Sequence, residues 1–168
     1  ACIRAARGLY ILQLDSDDEL LPDAIETLLP EIQKDPQIGC VYGRHYKWNQ
    51  QKDTLEEAWY YPTFTRERML HGMIVHHPRM FRKRDWSRVG GFSETLLNAV
   101  DYDFFQRLSE VGEIEFHDHL LYKYALHEQS TSISKSKVQT ENTFLTMKNA
   151  LERMGLMEWN VVKDHSYS

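Results

Sequence analysis

Cysteine is scarce in this sequence, and its two cysteines, Cys2 and Cys40, lie far apart. They provide neither a disulfide framework nor the paired ligand spacing of a zinc site. Long apolar runs are also missing, since no stretch approaches the roughly 20 residues that span a bilayer. A signal-peptide pattern and internal repeats are absent as well. We therefore expect a cytoplasmic protein without a transmembrane segment, and peripheral attachment to a membrane stays open.

The sequence also lacks an excess of positive charge, since its formal net charge is −5. Nucleic-acid-binding proteins rely on clustered Lys and Arg to neutralise phosphates, so the composition argues against a nucleic-acid partner. The basic segment at residues 79–84 is the local exception, and it either faces a phosphate or forms a solvated surface turn. A length of 168 residues fits one domain, for which about 100–200 residues are typical.

The most informative segment is an apolar run, residues 10–14, that ends on the carboxylates of Asp15, Asp17 and Asp18. Three carboxylates this close repel one another unless a cation lies among them. Carboxylate oxygens are the ligands that hard divalent cations prefer, and open α/β sheets bind ligands at the carboxyl ends of their strands. Residues 15–18, called the acidic turn below, therefore predict a metal site.

The order of strand, helix, strand and helix, with a later pair of strands, predicts an α/β sandwich. The predicted strands cover residues 8–14, 38–48 and 113–126, and the predicted helices cover residues 22–34, 66–72, 101–111 and 138–154. Residues 137–168 form a predicted C-terminal helix and tail, and residues 130–136 a predicted mobile loop. A buried strand at residues 8–14 normally needs parallel neighbours, so we expect an N-terminal portion to be missing.

A calcium loop is one alternative for the acidic turn. Acidic residues occupy positions one, three, five, nine and twelve of the twelve-residue pattern: Asp15, Asp17, Glu19, Asp23 and Glu26. Position six needs glycine for its sharp turn, and Leu20 stands there. The sequence disfavours this alternative.

A phosphatase-like site is a second alternative, with a nucleophilic Asp two residues before an acid/base Asp. Asp18 and Glu19 stand where that arrangement has small or β-branched residues, and no partner lysine is evident.

A nucleotide-sugar site is the third. A metal there offsets the charge on the departing diphosphate, and a second carboxylate deprotonates the acceptor hydroxyl. Asp101 and Asp103, at a predicted helix start, are the candidates for that carboxylate.

Three sets of residues resemble family 2 glycosyltransferases with the glycosyltransferase A fold. Residues 10–26 resemble the metal-binding segment, residues 90–94 and 98–104 the acceptor side, and residues 126–132 the terminal His and Ser loop. A closer similarity, carried by residues 12–18, 76–81 and 98–104, is to the second, glucuronic acid-transferring domain of bacterial chondroitin and hyaluronan polymerases. Val100 stands where most of the wider family has Glu, a departure shared with this subgroup.

The resemblance implies an inverting transfer from a UDP-sugar to a saccharide acceptor, in polysaccharide biosynthesis. Asp15, Asp17 and His127 would hold Mn or Mg on the diphosphate, Asp18 would support the turn, and Asp101 would be the general base. The predicted substrate contacts are Asp103, His76, His77, Arg79, Trp86, Ser130 and Ser132. Asp103 would orient Asp101 or contact the acceptor; Asp18 and Asp103 are also suited to capping helices, and Trp86 to the core or the cleft wall.

The resemblance also implies that strands preceding the metal turn build much of the nucleotide pocket. By this resemblance we expect residues 1–136 to be the catalytic portion and the chain to be the C-terminal part of the α/β fold, with a central mixed sheet flanked by helices. We also expect the chain to bind UDP weakly on its own. The alternative is a truncated domain that acts as a binding or oligomerisation module, with two copies pairing through an uncovered sheet edge.

Overall fold

A computed structural model describes residues 2–126 and 136–156, and of residues 136–138 it describes the backbone alone. The strands are β1 (Tyr10–Gln13), β2 (Glu19–Leu20), β3 (Ile38–Asn49), β4 (Thr54–Glu57), β5 (Arg79–Arg82) and β6 (Glu113–Leu126). The helices are α1 (Cys2–Ala5), α2 (Ala24–Gln33), α3 (Arg66–His71), α4 (Lys83–Arg88), α5 (Val100–Ser109) and α6 (Ser136–Arg153).

The strands form one mixed sheet in the order β1-β5-β3-β6-β2, with β4 paired to β3 as a hairpin. The long strands β3 and β6 run parallel from Ile38 opposite Glu113 to Asn49 opposite Leu126. All other strand pairs are antiparallel. The predicted mixed sheet is confirmed.

Helices cover both faces of this sheet because consecutive residues of its strands point to opposite sides. Cys40 and Phe81 face a core that α5 completes with Phe104, Phe105 and Leu108. On the other face of the sheet, residues of β3, β5 and β6 pack against α2. This second core consists of Ala24, Leu28, Ile32, Ile38, Val41, Met80 and Leu121. The sheet is therefore the middle of three layers.

Most sequence predictions of helices and strands are confirmed, and the predicted strand at residues 113–126 has the bounds of β6. The predicted buried character of residues 8–14 is wrong. In the described part of the chain β1 pairs with β5 alone, antiparallel and at the end of the sheet, and Leu9 and Leu14 are exposed.

The interpretation of residues 79–84 as a solvated turn is also wrong. Residues 79–82 are strand β5, and Arg79 and Arg82 are 4% and 9% exposed. The Arg82 guanidinium donates to the backbone carbonyls of Ile32, Asp35 and Ile38. Buried arginines of this kind are retained only when their N–H groups find partners.

Helix α6 packs on α5 and α3, and its Thr146 and Ala150 are buried. The division of the chain near residue 136 stays a prediction. Cys2 is exposed and Cys40 buried, and both are free thiols. Within residues 2–126 and 136–156, every helix is too short or too polar to cross a bilayer.

Candidate active site

The acidic turn follows β1 and is tied to β6 through Asp18. One oxygen of the Asp18 carboxylate accepts the backbone N–H of Ala125 at 2.8 Å, and the other accepts the Tyr122 hydroxyl at 2.7 Å. Burial raises the pKa of Asp18 in spite of these two hydrogen bonds, which lower it. The prediction that Asp18 supports the turn is confirmed.

The Tyr122 hydroxyl lies at the centre of the site. Besides Asp18 it contacts His77 Nδ1 at 2.8 Å and accepts the backbone N–H of Asp15 at 3.3 Å. Tyr122 is 0% exposed, and burial and Asp18 raise its pKa well above the usual range. Sequence reasoning missed Tyr122, because an aromatic residue in an alternating strand carries no signal of its own.

Arg79 extends these contacts to Asp101. Its Nη2 bonds His77 Nε2 and lies 3.1 Å from Asp101 Oδ2, while Nη1 donates to the carbonyl of Val75 at 3.2 Å. The guanidinium carbon lies 4.9 Å from the centre of the Phe105 ring. Arg79 is thus a buried cation beside the candidate base.

Burial favours the neutral form of the three described histidines at the site, His45, His76 and His77. Burial and the Arg79 charge lower the pKa of His77 to about 2 and also lower the pKa of His76. Burial and His76 lower the pKa of His45 to about 4, and the His45 and His76 ring centres are 5.7 Å apart. Arg79 therefore carries the positive charge that faces these carboxylates and rings.

A cavity of about 460 Å³ brings the two predicted halves of the site together, because Asp15 and Asp101 both line it with Arg79. Gln13, Asn98, Tyr124 and Gln139 complete its polar wall. A larger cavity of about 580 Å³ is lined by Arg66, Arg84, Arg88 and neighbours and by none of the predicted site residues. The smaller cavity is therefore the candidate active site.

The acidic turn has the donor set for Mn or Mg, since carboxylate oxygens suit both ions. Ligand atoms of Asp15, Asp18 and His77 lie within 4.8 Å of one another. Both Asp18 oxygens already accept hydrogen bonds, and His77 Nε2 faces Arg79. Asp15, with its exposed carboxylate on the cavity, and the exposed Asp17 are the ligands that fit best.

Of the described substrate contacts that the sequence predicts, Arg79 lines the cavity, whereas His76 and His77 do not, although His77 contacts Arg79. Asp103 and Trp86 lie elsewhere. Asp103 is 6% exposed, and its carboxylate pairs with Arg107, which also bonds the carbonyls of Val89 and Gly91. Side chains two apart on a helix point in nearly opposite directions, so Asp103 braces α5 against the Gly90–Gly91 turn and does not orient Asp101.

Trp86 packs in the core, where a Cβ added at Gly91 would lie 2.8 Å from its ring. Gly91 has φ of 76°, which only glycine adopts readily. Trp86 is therefore a core residue and not part of the cavity wall. The predicted site residues His127, Ser130 and Ser132, with the predicted loop at residues 130–136, lie outside the described residues except for the backbone of residue 136.

Residues 1–90 match the family described as Glycosyl transferase family 2. Among curated proteins, chondroitin synthase of Escherichia coli is 40% identical over 157 residues, which cover 94% of this chain and 23% of that protein. Hyaluronan synthase of Pasteurella multocida is 41% identical over 160 residues, covering 95% of this chain and 16% of that protein. The chain thus spans less than a quarter of the length of these relatives.

Among solved structures, residues 1–349 of S. aureus TarS in complex with UDP-GlcNAc match with a TM-score of 0.67 at 16% identity. The match covers 90% of this chain and 44% of that one. At this identity the likeness concerns the fold alone. The predicted glycosyltransferase A fold is confirmed.

Proposed function

Since this chain belongs to glycosyltransferase family 2, we propose that it transfers a sugar from a UDP-sugar to a saccharide acceptor, with inversion at the anomeric carbon. The cavity that Asp15 and Asp101 share carries this proposal, because it joins a metal-binding turn to a carboxylate that can act as base. The similarity to chondroitin and hyaluronan synthases favours a role in polysaccharide synthesis.

Glucuronic acid is the donor sugar that we propose. Its carboxylate carries a negative charge, which a nearby cation attracts. Arg79 places such a cation in the cavity wall, beside His76 and His77. The resemblance of residues 76–81 to the glucuronic acid-transferring subgroup points the same way.

Asp101 is the proposed general base. Its Oδ1 accepts the backbone N–H of Tyr102 at 2.9 Å and its Oδ2 accepts from Arg79 at 3.1 Å, which fixes the carboxylate at the start of α5. The side chain remains 43% exposed, so an acceptor can reach it. Asp101 takes the acceptor hydroxyl proton as that oxygen bonds to the anomeric carbon, and the bond from that carbon to the UDP oxygen breaks.

Asp15 and Asp17 are the proposed ligands of Mn or Mg, with His127 as a further proposed ligand. When bound, such an ion neutralises charge on the UDP diphosphate. Asp18 keeps the turn in place through its bonds to Tyr122 and Ala125. Ser130 and Ser132 stay predicted substrate contacts.

Two substitutions test these roles in the protein at its natural length. Asp101→Asn should reduce transfer by about 10²- to 10⁴-fold and leave metal-dependent UDP binding unchanged, as calorimetry measures. Asp17→Ala should abolish that binding. Asp118→Asn, a change at an exposed carboxylate of β6 that pairs with Arg44, is the control and should alter neither. Near-normal transfer by the Asp101→Asn variant would show the base assignment to be wrong.

Self-association through β1 is the second candidate function that an observation favours. β1 lies at one end of the sheet order, and an unpaired strand edge is a template for another strand. Light scattering during size-exclusion chromatography should then show a dimer, and Ile11→Pro, which removes an N–H from the strand, should yield a monomer.

A further inference from the structure

Five side chains form a continuous path from the acidic turn to the candidate base. In order they are Asp18, Tyr122, His77, Arg79 and Asp101. Tyr122, His77 and Arg79 are buried, and the two carboxylates at the ends reach toward more exposed surroundings. The path joins the two functional ends of the site through the protein interior.

The direction of each hydrogen bond along this path follows from the donors and acceptors available. Asp18 accepts at both oxygens, so the single Tyr122 proton goes to Asp18. The Tyr122 oxygen then accepts from His77, which must carry its proton on Nδ1. His77 Nε2 is left as an acceptor, and the two protons on Arg79 Nη2 serve His77 and Asp101.

We propose that Tyr122 is a positioning residue whose hydroxyl holds the acidic turn and orders this path as far as Asp101. The hydroxyl binds the turn twice, at the Asp18 carboxylate and at the Asp15 backbone N–H. It also provides the acceptor for His77 Nδ1–H, which turns Nε2 toward Arg79. The consequence for transfer rests on the function proposed for Asp101, whereas the consequence for the turn and for His77 does not.

The hydroxyl group and the ring of Tyr122 have separable roles. The ring packs edge-on against His77, with ring centres 4.9 Å apart, and Tyr122→Phe keeps this contact. The substitution removes one donor and one acceptor, so Asp18 and His77 each lose a partner in the interior. The proposal therefore predicts a loss of site geometry in a folded protein.

Tyr42→Phe is the matched control. Tyr42 is also fully buried in the same sheet, on β3, and within the described part of the chain its hydroxyl has no hydrogen-bond partner. Both variants lose one buried hydroxyl from a β-strand tyrosine. Only the Tyr122 hydroxyl contacts the acidic turn.

The test combines Mn²⁺ titration followed by electron paramagnetic resonance, transfer assays, and ¹⁵N NMR of the imidazoles in the protein at its natural length. Tyr122→Phe should weaken Mn²⁺ binding and lower kcat by 10-fold or more. Tyr42→Phe should change both by less than 2-fold, and both variants should keep the wild-type circular dichroism spectrum. In the wild type, NMR should show His77 protonated on Nδ1.

Protonation of wild-type His77 on Nε2 would overturn the proposal, because the order of hydrogen bonds would be reversed. Equal behaviour of the two Tyr→Phe variants would overturn it too. If Asp101→Asn kept its activity while Tyr122→Phe still lost Mn²⁺ affinity, the assigned base would be wrong and the role of Tyr122 in the turn would stand.

Discussion

Two clusters in this molecule contain the same kinds of side chain in the same spacing. The site cluster consists of Asp15, Asp18 and His77, and the helix cluster of Glu31, Glu115 and His117. Each has two carboxylates and one imidazole with ligand atoms within 4.8 Å of one another. Ligand type and distance therefore do not distinguish them.

Hydrogen bonding does distinguish them. In the site cluster Asp18 and His77 share the Tyr122 hydroxyl at 2.7 and 2.8 Å. In the helix cluster His117 Nε2 lies 3.6 and 3.8 Å from the two carboxylates and, in the described part of the chain, forms no hydrogen bond. The first arrangement fixes each group in one orientation, whereas the second is a loose set of charges.

Removing Arg79, which contacts His77 of the site cluster, should produce the largest effect. Arg79→Met leaves the Val75 carbonyl and His77 Nε2 without their donor in the interior, and each buried acceptor left unsatisfied costs about 1–3 kcal/mol. Urea unfolding should therefore show a stability loss of about 3 kcal/mol. Arg4→Met, at the exposed pair with Glu94, is the control and should change stability by no more than about 0.5 kcal/mol. If the Arg79→Met and Arg4→Met variants lost the same free energy of unfolding, the buried contacts of Arg79 would contribute nothing to stability.

Acid should destabilise the protein mainly through the buried histidines His45, His76 and His77. Burial lowers the pKa of His77 to about 2, while an unfolded histidine takes up a proton near pH 6.5. Below pH 6.5 the unfolded chain therefore binds more protons than the folded chain. The free energy of unfolding consequently decreases as the pH is lowered. Between pH 7 and pH 5 His77 alone should account for about 2 kcal/mol.

Urea unfolding at the two pH values measures this loss. In the helix cluster burial has the largest effect on His117 and lowers its pKa, whereas Glu31 and Glu115 raise it. His117→Gln should consequently retain most of the acid sensitivity. If this variant had the same stability at both pH values, the assignment to His77 would be wrong.

The sequence allowed the long elements to be predicted because their signals are local. β3 and β6 contain enough β-branched and aromatic residues to define strands, and α5 repeats its apolar residues at helical spacing. Strand β5 was missed because two of its four residues are arginines. Arg82 is buried because it donates to carbonyls of α2 and β3 that lie far away in the sequence.

The site was predictable only in part for the same reason. Asp15 was found because carboxylates cluster after an apolar run, and Asp101 because it stands at a predicted helix start and its neighbours resemble a family. The structure brings both to one cavity. The connection between them runs through Tyr122, His77 and Arg79, which come together only after β6 and β5 have paired with β3. Nothing in an alternating strand separates Tyr122 from Tyr124 before that contact exists.

Substitutions in the two clusters should also differ in their effect on Mn²⁺ affinity, by a smaller free energy. Asp15→Asn should raise the Kd for Mn²⁺ by about 10-fold, equivalent to about 1.4 kcal/mol, because the exposed carboxylate of Asp15 lines the cavity. Glu31→Gln should change it by less than about 2-fold, since the Glu31 carboxylate already pairs with Lys34. Electron paramagnetic resonance of free Mn²⁺ gives both constants. If Asp15→Asn and Glu31→Gln changed this Kd equally, the site cluster would not be the preferred metal site.

The smallest effect concerns Lys34, which pairs with Glu31 while remaining 60% exposed. Exposed pairs contribute between zero and about 1 kcal/mol, so Lys34→Met should change stability by no more than about 0.5 kcal/mol. The Lys34 charge lowers the pKa of His117, so its removal should raise that pKa, as an NMR titration of His117 measures. Lys148→Met, at the exposed pair with Glu152, should leave His117 unchanged. An unchanged His117 in the Lys34→Met variant would mean that the helix cluster is held by more than the charges within it.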